Sequence, residues 1–145
     1  MNVQSLGHVV LKVRNRQRAE DFYNGVLGIP IAARHDGMGM TFFTLGNHHD
    51  LAVLATGDDA PDAPRSAPGL FHIALKVGDT LDELRATKTR LEEVGVKIDG
   101  VVDHGVSNSI YIRDPDGNGV ELYVDVSDAW KDDPQAVAQA RPLAL

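Results

Sequence analysis

Two segments with alternating apolar and polar residues closely resemble each other. The first, Leu6-Gly7-His8-Val9-Val10-Leu11-Lys12-Val13, returns 64 residues later as Leu70-Phe71-His72-Ile73-Ala74-Leu75-Lys76-Val77, with five of eight positions identical. In both copies every second residue is apolar, which is typical of a strand that buries one face. The repeat therefore predicts two related modules, each beginning with a strand.

A helical pattern follows each of these strands. Over residues 16–26 apolar side chains recur at the spacing of one helix face, and Gly28 ends the pattern. In the second module Thr80 is the expected N-cap, with Glu83 three residues further on, and Gly95 is the expected end. Each helix is followed by a pattern of three strands, so both modules are predicted to be βαβββ units.

The fold class is therefore α+β, in one domain covering residues 1–145. Module 1 is expected at about 5–56, a linker at about 57–68, module 2 at about 69–126 and a C-terminal tail at 127–145. The later strands are predicted at 31–35, 40–45 and 50–55 in module 1, and at 96–104, 109–113 and 119–125 in module 2. Within the tail, the Ala-rich stretch 134–140 is predicted to form a docking helix near Trp130.

Composition narrows the range of functions. A chain of 145 residues has room for one domain, and 14 basic against 21 acidic residues give a net charge of −7, which disfavours nucleic acid and anionic membranes as partners. Neither a membrane-spanning run nor a signal-peptide pattern is present, so the expected location is the cytoplasm. Because the chain has no cysteine, a bound metal must be held by nitrogen and oxygen ligands.

Strand alternation places several reactive side chain types on one face of the predicted sheets. His8 and His72 lie opposite the apolar rows of their strands, as do Tyr111 and Glu121 in the later strands of module 2. A solvent-facing surface would also be polar. However, a pseudo-twofold arrangement of the modules would bring His8 and His72 together, and Glu121 could complete a set of two imidazoles and one carboxylate. That set suits Fe(II) with open positions for substrate and O₂, and it could also hold Mn(II) or Zn(II).

A longer motif supports a specific resemblance. The run Val102-Asp103-His104, then Ile110-Tyr111, then Asp114-Pro115-Asp116-Gly117 and finally Glu121 resembles the signature of type I extradiol ring-cleavage dioxygenases. These enzymes belong to the vicinal oxygen chelate (glyoxalase/bleomycin resistance/dioxygenase) superfamily, which the chain resembles from about residue 5 to 125. The resemblance implies that the two modules form a cupped, barrel-like mixed sheet with a metal site inside.

The resemblance also implies roles for individual residues. The Fe(II) ligands would be His8, His72 and Glu121. The segment Asn47-His48-His49-Asp50-Leu51-Ala52 is similar to the paired-histidine segment of these dioxygenases, which makes His49 the acid–base residue and leaves His48 either as a residue that supports the site from behind or as an exterior partner. The bound catecholate would receive hydrogen bonds from His104 and Tyr111.

The implied activity is extradiol cleavage of a catechol by O₂ at an Fe(II) site, as a step of aromatic catabolism. The chain lacks the second pair of modules that many such enzymes carry, which leaves sheet edges uncovered and predicts a homodimer. Three alternatives remain: a fosfomycin-type thiol transferase, a glyoxalase-like lyase or isomerase, and a non-enzymatic drug-binding resistance protein. The glyoxalase-like alternative requires a fourth ligand on the last strand of module 1, where Leu51-Ala52-Val53-Leu54 offers none.

Overall fold

The computed structural model describes residues 1–64 and 66–145. They form two compact units, Met1–Ala67 and Pro68–Leu145. Each unit contains one mixed sheet and one helix that follows the first strand of its sheet. The α+β class and the two βαβββ successions predicted from the repeat are therefore confirmed.

The first unit contains a four-stranded sheet in the order β1-β4-β3-β2. β1 and β4 are parallel, and the remaining pairs are antiparallel. The helix α1 continues without a break into a π-helical segment, so the helical region ends at Val26 as predicted. The elements are β1 (Val9–Val13), α1 (Arg16–Glu20), the π-helical segment (Asp21–Val26), β2 (Ile31–His35), β3 (Met40–Phe43) and β4 (Leu51–Ala55).

The second unit repeats this plan with one additional short strand, in the order β5-β8-β7-β6-β9. The helix α2 begins at the predicted N-cap, where the Thr80 hydroxyl accepts a hydrogen bond from the Glu83 amide and the Glu83 carboxylate accepts one from the Asp79 amide. The elements are β5 (Ile73–Gly78), α2 (Leu81–Glu93), β6 (Ile98–Asp103), β7 (Ser107–Arg113), β8 (Gly119–Asp125) and β9 (Arg141–Pro142).

The apolar rows of the strands form the core, as the alternation predicted. Leu11 and Val13 of β1 are buried, as is Ile73 of β5, while β7 and β8 contribute rows that the helix α2 helps to cover. Burying these rows on one side of each sheet leaves the intervening positions, including Tyr111 and Glu121, for the opposite side.

One strand of module 1 ends earlier than predicted. The third strand of module 1 ends at Phe43 rather than at residue 45, because Leu45 donates its amide to the Asp50 carboxylate and the chain turns. Residues 57–64 and 66–68 of the predicted linker contain neither helix nor strand, and Arg65 lies outside the described residues.

The predicted docking helix at 134–140 is wrong. A short 3₁₀ segment, Pro134–Ala138, occupies most of this stretch, and Trp130 lies in another, Ala129–Lys131. So short a helix is unfavourable, and the chain instead adds β9 to the edge of β6 through Val102–Pro142 and Asp103–Arg141 pairs. Within the described residues, no helix is both long and apolar enough to cross a bilayer.

Candidate functional site

Parallel pairing of β5 with β8 brings two of the predicted metal ligands together in the second unit. The register pairs Ile73 with Val120 and Ala74 with Glu121, so His72, just before β5, lies beside the start of β8. The Nε2 atom of His72 is 2.9 Å from Oε2 of Glu121. The other carboxylate oxygen accepts a hydrogen bond from the hydroxyl of Ser109, which is fully buried. Glu121 is therefore held on one side by Ser109 and faces the His72 imidazole on the other.

A glycine makes this close approach possible. A Cβ atom placed on Gly119 would collide with the carbonyl oxygen of Phe71 and lie 3.0 Å from the Cβ of His72. Real side chains do not tolerate such a contact with backbone, so the chain before β5 would have to move. The absence of a side chain at Gly119 thereby allows the backbone before β5 to approach β8 closely enough for His72 to contact Glu121.

Tyr111 and His104 form a second polar pair on this sheet. The Tyr111 hydroxyl is 2.7 Å from Nε2 of His104, and Nδ1 of His104 is 2.7 Å from the carbonyl oxygen of Gln139. A carbonyl oxygen only accepts, so Nδ1 carries a proton, and in the neutral ring Nε2 accepts the Tyr111 proton. Burial and the nearby Glu121 carboxylate raise the pKa of Tyr111 to about 12, which keeps its hydroxyl protonated.

The first unit gathers three histidines. The amide of Val9 donates to the carbonyl of Asp50, which brings the start of β1 beside the loop before β4. The His8 and His49 rings have centroids 4.1 Å apart, those of His48 and His49 are 4.6 Å apart, and one ring nitrogen from each of the three lies within 4.8 Å of the others. His48 lies in the cluster beside His49, because the chain bends at residues 45–48 instead of running as a strand.

The loop that carries this histidine pair is fixed by Asp50. Its carboxylate accepts hydrogen bonds from the amides of Leu45 and Asn47 and from the Asn47 side chain, and these bonds hold the pKa of Asp50 below its usual value. Partial burial, together with the neighbouring His8 and His48, lowers the pKa of His49. The His49 imidazole is accordingly neutral at pH 7.

The two units carry different side chains at the strand positions that correspond to Glu121 and Tyr111. Ala52 of β4 pairs with Val10 of β1, just as Glu121 pairs with Ala74, and Phe42 faces Ala52 where Tyr111 faces Glu121. In the first unit this position is therefore a methyl group, and the carboxylate belongs to the second unit. Phe42 packs its ring on His49, with centroids 5.2 Å apart.

A cavity of about 230 Å³ opens in the second unit beside His72 and Tyr111. The Phe71 ring, 84% exposed, lies at its margin, and the ion pair between Arg113 and Asp99, 2.8 Å long, lines it as well. The lining thus combines an exposed aromatic ring with the hydrogen-bonding side chains of His72 and Tyr111.

The residues around His72 suit a divalent metal ion. Two adjacent ligands at right angles, each about 2.1 Å from an ion, are separated by roughly 3 Å, which is close to the 2.9 Å between His72 and Glu121. The buried Nδ1 of His72 has no hydrogen-bond partner among the described residues. The contacts within this described part of the chain therefore satisfy only one of the two ring nitrogens. Imidazole and carboxylate suit Fe(II), Mn(II) and Zn(II) alike. The residues therefore fit a divalent metal ion without selecting one of these three.

Comparison with known proteins adds a family to this geometry. Residues 5–122 match the Glyoxalase/Bleomycin resistance protein/Dioxygenase superfamily. The catechol-2,3-dioxygenase of Bacillus subtilis (strain 168) is 36% identical over 121 residues, covering 83% of this chain and 41% of that protein. The glutathione transferase FosA of Serratia marcescens is 31% identical over 123 residues, covering 84% and 82%. A glyoxalase/dioxygenase structure from Nostoc punctiforme has a TM-score of 0.72 at 18% identity, covering 87% of this chain and 94% of that one.

The chain thus belongs to the Glyoxalase/Bleomycin resistance protein/Dioxygenase superfamily, which confirms the resemblance drawn from its motifs. The Nostoc structure supports the fold alone. The chain spans about two-fifths to three-fifths of the length of the catechol and biphenyl-diol dioxygenases that it matches. Relatives with different names, dioxygenase, glutathione transferase and lactoylglutathione lyase, match the same chain, so membership by itself leaves the reaction open.

Proposed function

We propose that the protein is an Fe(II)-dependent extradiol dioxygenase that opens catechol-type rings, with His8, His72 and Glu121 as the iron ligands. The main support is the His72–Glu121 pair at 2.9 Å next to the hydrogen-bonded Tyr111 and His104. This combination offers a carboxylate-containing metal site and, in Tyr111, a hydroxyl oxygen that can accept a hydrogen bond from a phenolic hydroxyl while His104 holds the Tyr111 proton. The match to a catechol-2,3-dioxygenase agrees with it.

In this proposal, His8, His72 and Glu121 would hold Fe(II), which would supply Lewis acidity to lower the pKa of the catechol hydroxyls and redox chemistry for O₂. Tyr111 would orient the ring through its hydroxyl oxygen, and His104, whose tautomer the Gln139 carbonyl fixes, would hold the Tyr111 hydroxyl in place. Ser109 keeps Glu121 in place through its hydrogen bond. The bond that breaks joins one of the two hydroxyl-bearing carbons to its neighbour without a hydroxyl group. Both oxygen atoms of O₂ enter the product.

His49 is the proposed acid–base residue. Its lowered pKa makes the neutral imidazole the form present at pH 7, and this form accepts a proton from a catechol hydroxyl. Phe42 packs on one edge of the His49 ring and limits its rotation. General acid–base catalysis of this kind contributes a factor of about 10²–10⁴ in rate.

The proposal is tested by reconstituting the protein with Fe(II) without oxygen, and then adding air and a panel of catechols. We expect oxygen uptake together with a yellow ring-opened product. His49→Ala should retain iron and lose most of the turnover, whereas His72→Gln and Glu121→Gln should lose the iron. Iron binding without oxygen uptake on any catechol would reject the dioxygenase assignment.

A thiol transferase is the second candidate, since the FosA relative matches over 82% of its own length. Incubating the metal-loaded protein with fosfomycin and glutathione, and following loss of the free thiol, separates the two activities. The glyoxalase-like alternative has less support, because Ala52 occupies the position in the first unit that corresponds to Glu121 and supplies no oxygen ligand.

A further inference from the structure

The three-histidine cluster of the first unit contains one imidazole that the proposed dioxygenase chemistry does not use. His8 is a proposed iron ligand and His49 the proposed acid–base residue, but His48 has no role in that reaction. Its ring nevertheless lies against the His49 ring, with centroids 4.6 Å apart, and 6.3 Å from that of His8. Exposed polar loop residues have no need to converge in this way.

We propose that His8, His48 and His49 form a separate binding site for a divalent cation of the zinc type. One nitrogen of each ring lies within 4.8 Å of the others. Two nitrogen ligands of a tetrahedral Zn²⁺, at about 2.0–2.1 Å from the ion, are roughly 3.3 Å apart. His8 and His48 are both exposed, so their side chains have room to rotate towards the shorter separation.

The frame around the cluster is held in advance. Hydrogen bonds from Leu45 and Asn47 to the Asp50 carboxylate fix the loop, and the Val9 amide bonded to the Asp50 carbonyl fixes the strand that follows His8. Phe42 restrains the His49 ring. Binding a cation therefore requires little ordering of the chain.

The chemistry of the donors sets the preferred ion. The Asp50 carboxylate is already engaged by backbone and side chain donors of the loop, so the site offers three imidazole nitrogens. Such a set favours Zn²⁺, Co²⁺ and Cu²⁺ over Fe²⁺, in line with the general order of affinities for divalent metals. The fourth position remains for water or a small anion.

One consequence rests on the proposed function, while the binding itself does not. If His8 is also an iron ligand, its imidazole cannot serve both ions at once. Zn²⁺ held by the three histidines would then remove His8 from the iron site and occupy His49. The cluster would act as an inhibitory metal site within the dioxygenase.

The binding test uses Zn²⁺ alone, titrated into the metal-free full chain in competition with a chromophoric chelator. His48→Gln should weaken zinc binding at the three-histidine site roughly tenfold or more, whereas His72→Gln, which removes a ligand of the other metal site only, should leave the affinity of the three-histidine site unchanged. His35→Gln removes another exposed histidine, outside the cluster, and serves as the control. Thermal melting of every variant confirms that it is folded.

Imidazole NMR provides a second measurement on the unaltered chain. Zn²⁺ should shift the ring resonances of His8, His48 and His49 together, at one equivalent. If His48→Gln binds zinc as tightly as the wild type, or if the shifts fall on His72 instead, the proposal is wrong. Failure of the dioxygenase assignment looks different, since the iron-loaded protein would then cleave no catechol while the zinc titration stayed as expected.

Discussion

At the scale of single residues, the position of His72 depends on Gly119, which has no side chain to collide with the Phe71–His72 backbone. Gly119→Ala is expected to force the Phe71–His72 backbone away from β8, because the new methyl group meets backbone atoms that cannot rotate aside. We expect a loss of about 1–3 kcal/mol in the free energy of unfolding and a weaker affinity for Fe(II). Urea unfolding and a metal-chelator competition measure the two effects.

Gly100→Ala is the matched control for this substitution. Gly100 also lies in the second sheet, at the same cavity, but a Cβ there has open space and the backbone needs no positive φ. It should therefore leave iron affinity unchanged. Equal iron affinity in Gly119→Ala and the wild type would show that His72 does not depend on Gly119.

The sequence predicted on which face of a strand the candidate side chains lie better than it predicted how they are held. Alternation along the strands placed Glu121 and Tyr111 on the polar face, and the structure agrees. The hydrogen bond from Ser109 and the steric role of Gly119 depend on the register between strands, which alternation within one strand does not fix. The position of His48 depends on the bend that Asp50 imposes, so a strand-like interpretation of its loop missed it.

At the scale of elements, a buried carboxylate joins α1 to its sheet. Glu20 is 6% exposed, accepts two hydrogen bonds from the Arg34 guanidinium of β2 and one from the Thr41 hydroxyl of β3. The Arg34 hydrogen bonds, followed by that from Thr41, hold the pKa of Glu20 below its usual value of 4.5, against the opposing effect of burial. The folded state therefore prefers the ionised carboxylate.

The stability of the chain should fall in acid for this reason. A lowered folded-state pKa gives stability that is present above the usual pKa and is lost as the pH falls through the folded value. Glu20→Gln should lower the free energy of unfolding by about 2 kcal/mol at pH 7, and the difference from the wild type should shrink towards pH 3. Urea unfolding at several pH values measures it, with Glu93→Gln at an exposed position of α2 as control.

The C-terminal tail is the element whose role the sequence did not reveal. The carbonyl of Gln139 fixes the His104 tautomer, and β9 anchors the tail to β6 immediately afterwards. A backbone carbonyl carries no sequence signature, so composition could not have indicated this contact. The tail therefore contributes to the polar pair next to the cavity while providing none of its side chains.

Deleting residues 134–145 should consequently lower turnover more than it lowers iron binding. Without the Gln139 carbonyl, His104 can lose its Nδ1 proton to Nε2, and Tyr111 then has no acceptor. Nitrogen chemical shifts of the His104 ring in the intact protein should report the Nδ1–H tautomer. The same shifts in the truncated protein, at unchanged helix content by circular dichroism, would contradict this role for the tail.

At the scale of the whole molecule, the repeat predicted two modules of the same order because both use the same alternation and the same helix position. The two units differ at two equivalent positions: Ala52 and Phe42 in the first unit correspond to Glu121 and Tyr111 in the second. One unit has thus kept a cluster of imidazoles, and the other a carboxylate with a phenol.

Self-association is the prediction that belongs to this scale. β1 and β5 each end their sheet, and Leu6 and Phe71, next to these strands, are 83% and 84% exposed. Unpaired strand edges flanked by exposed apolar side chains favour pairing with a second copy of the chain. We expect light scattering to give twice the monomer mass of 15.7 kDa across the micromolar range, and Leu6→Asp to shift the population towards monomer. A single monomeric mass at every concentration would exclude the homodimer.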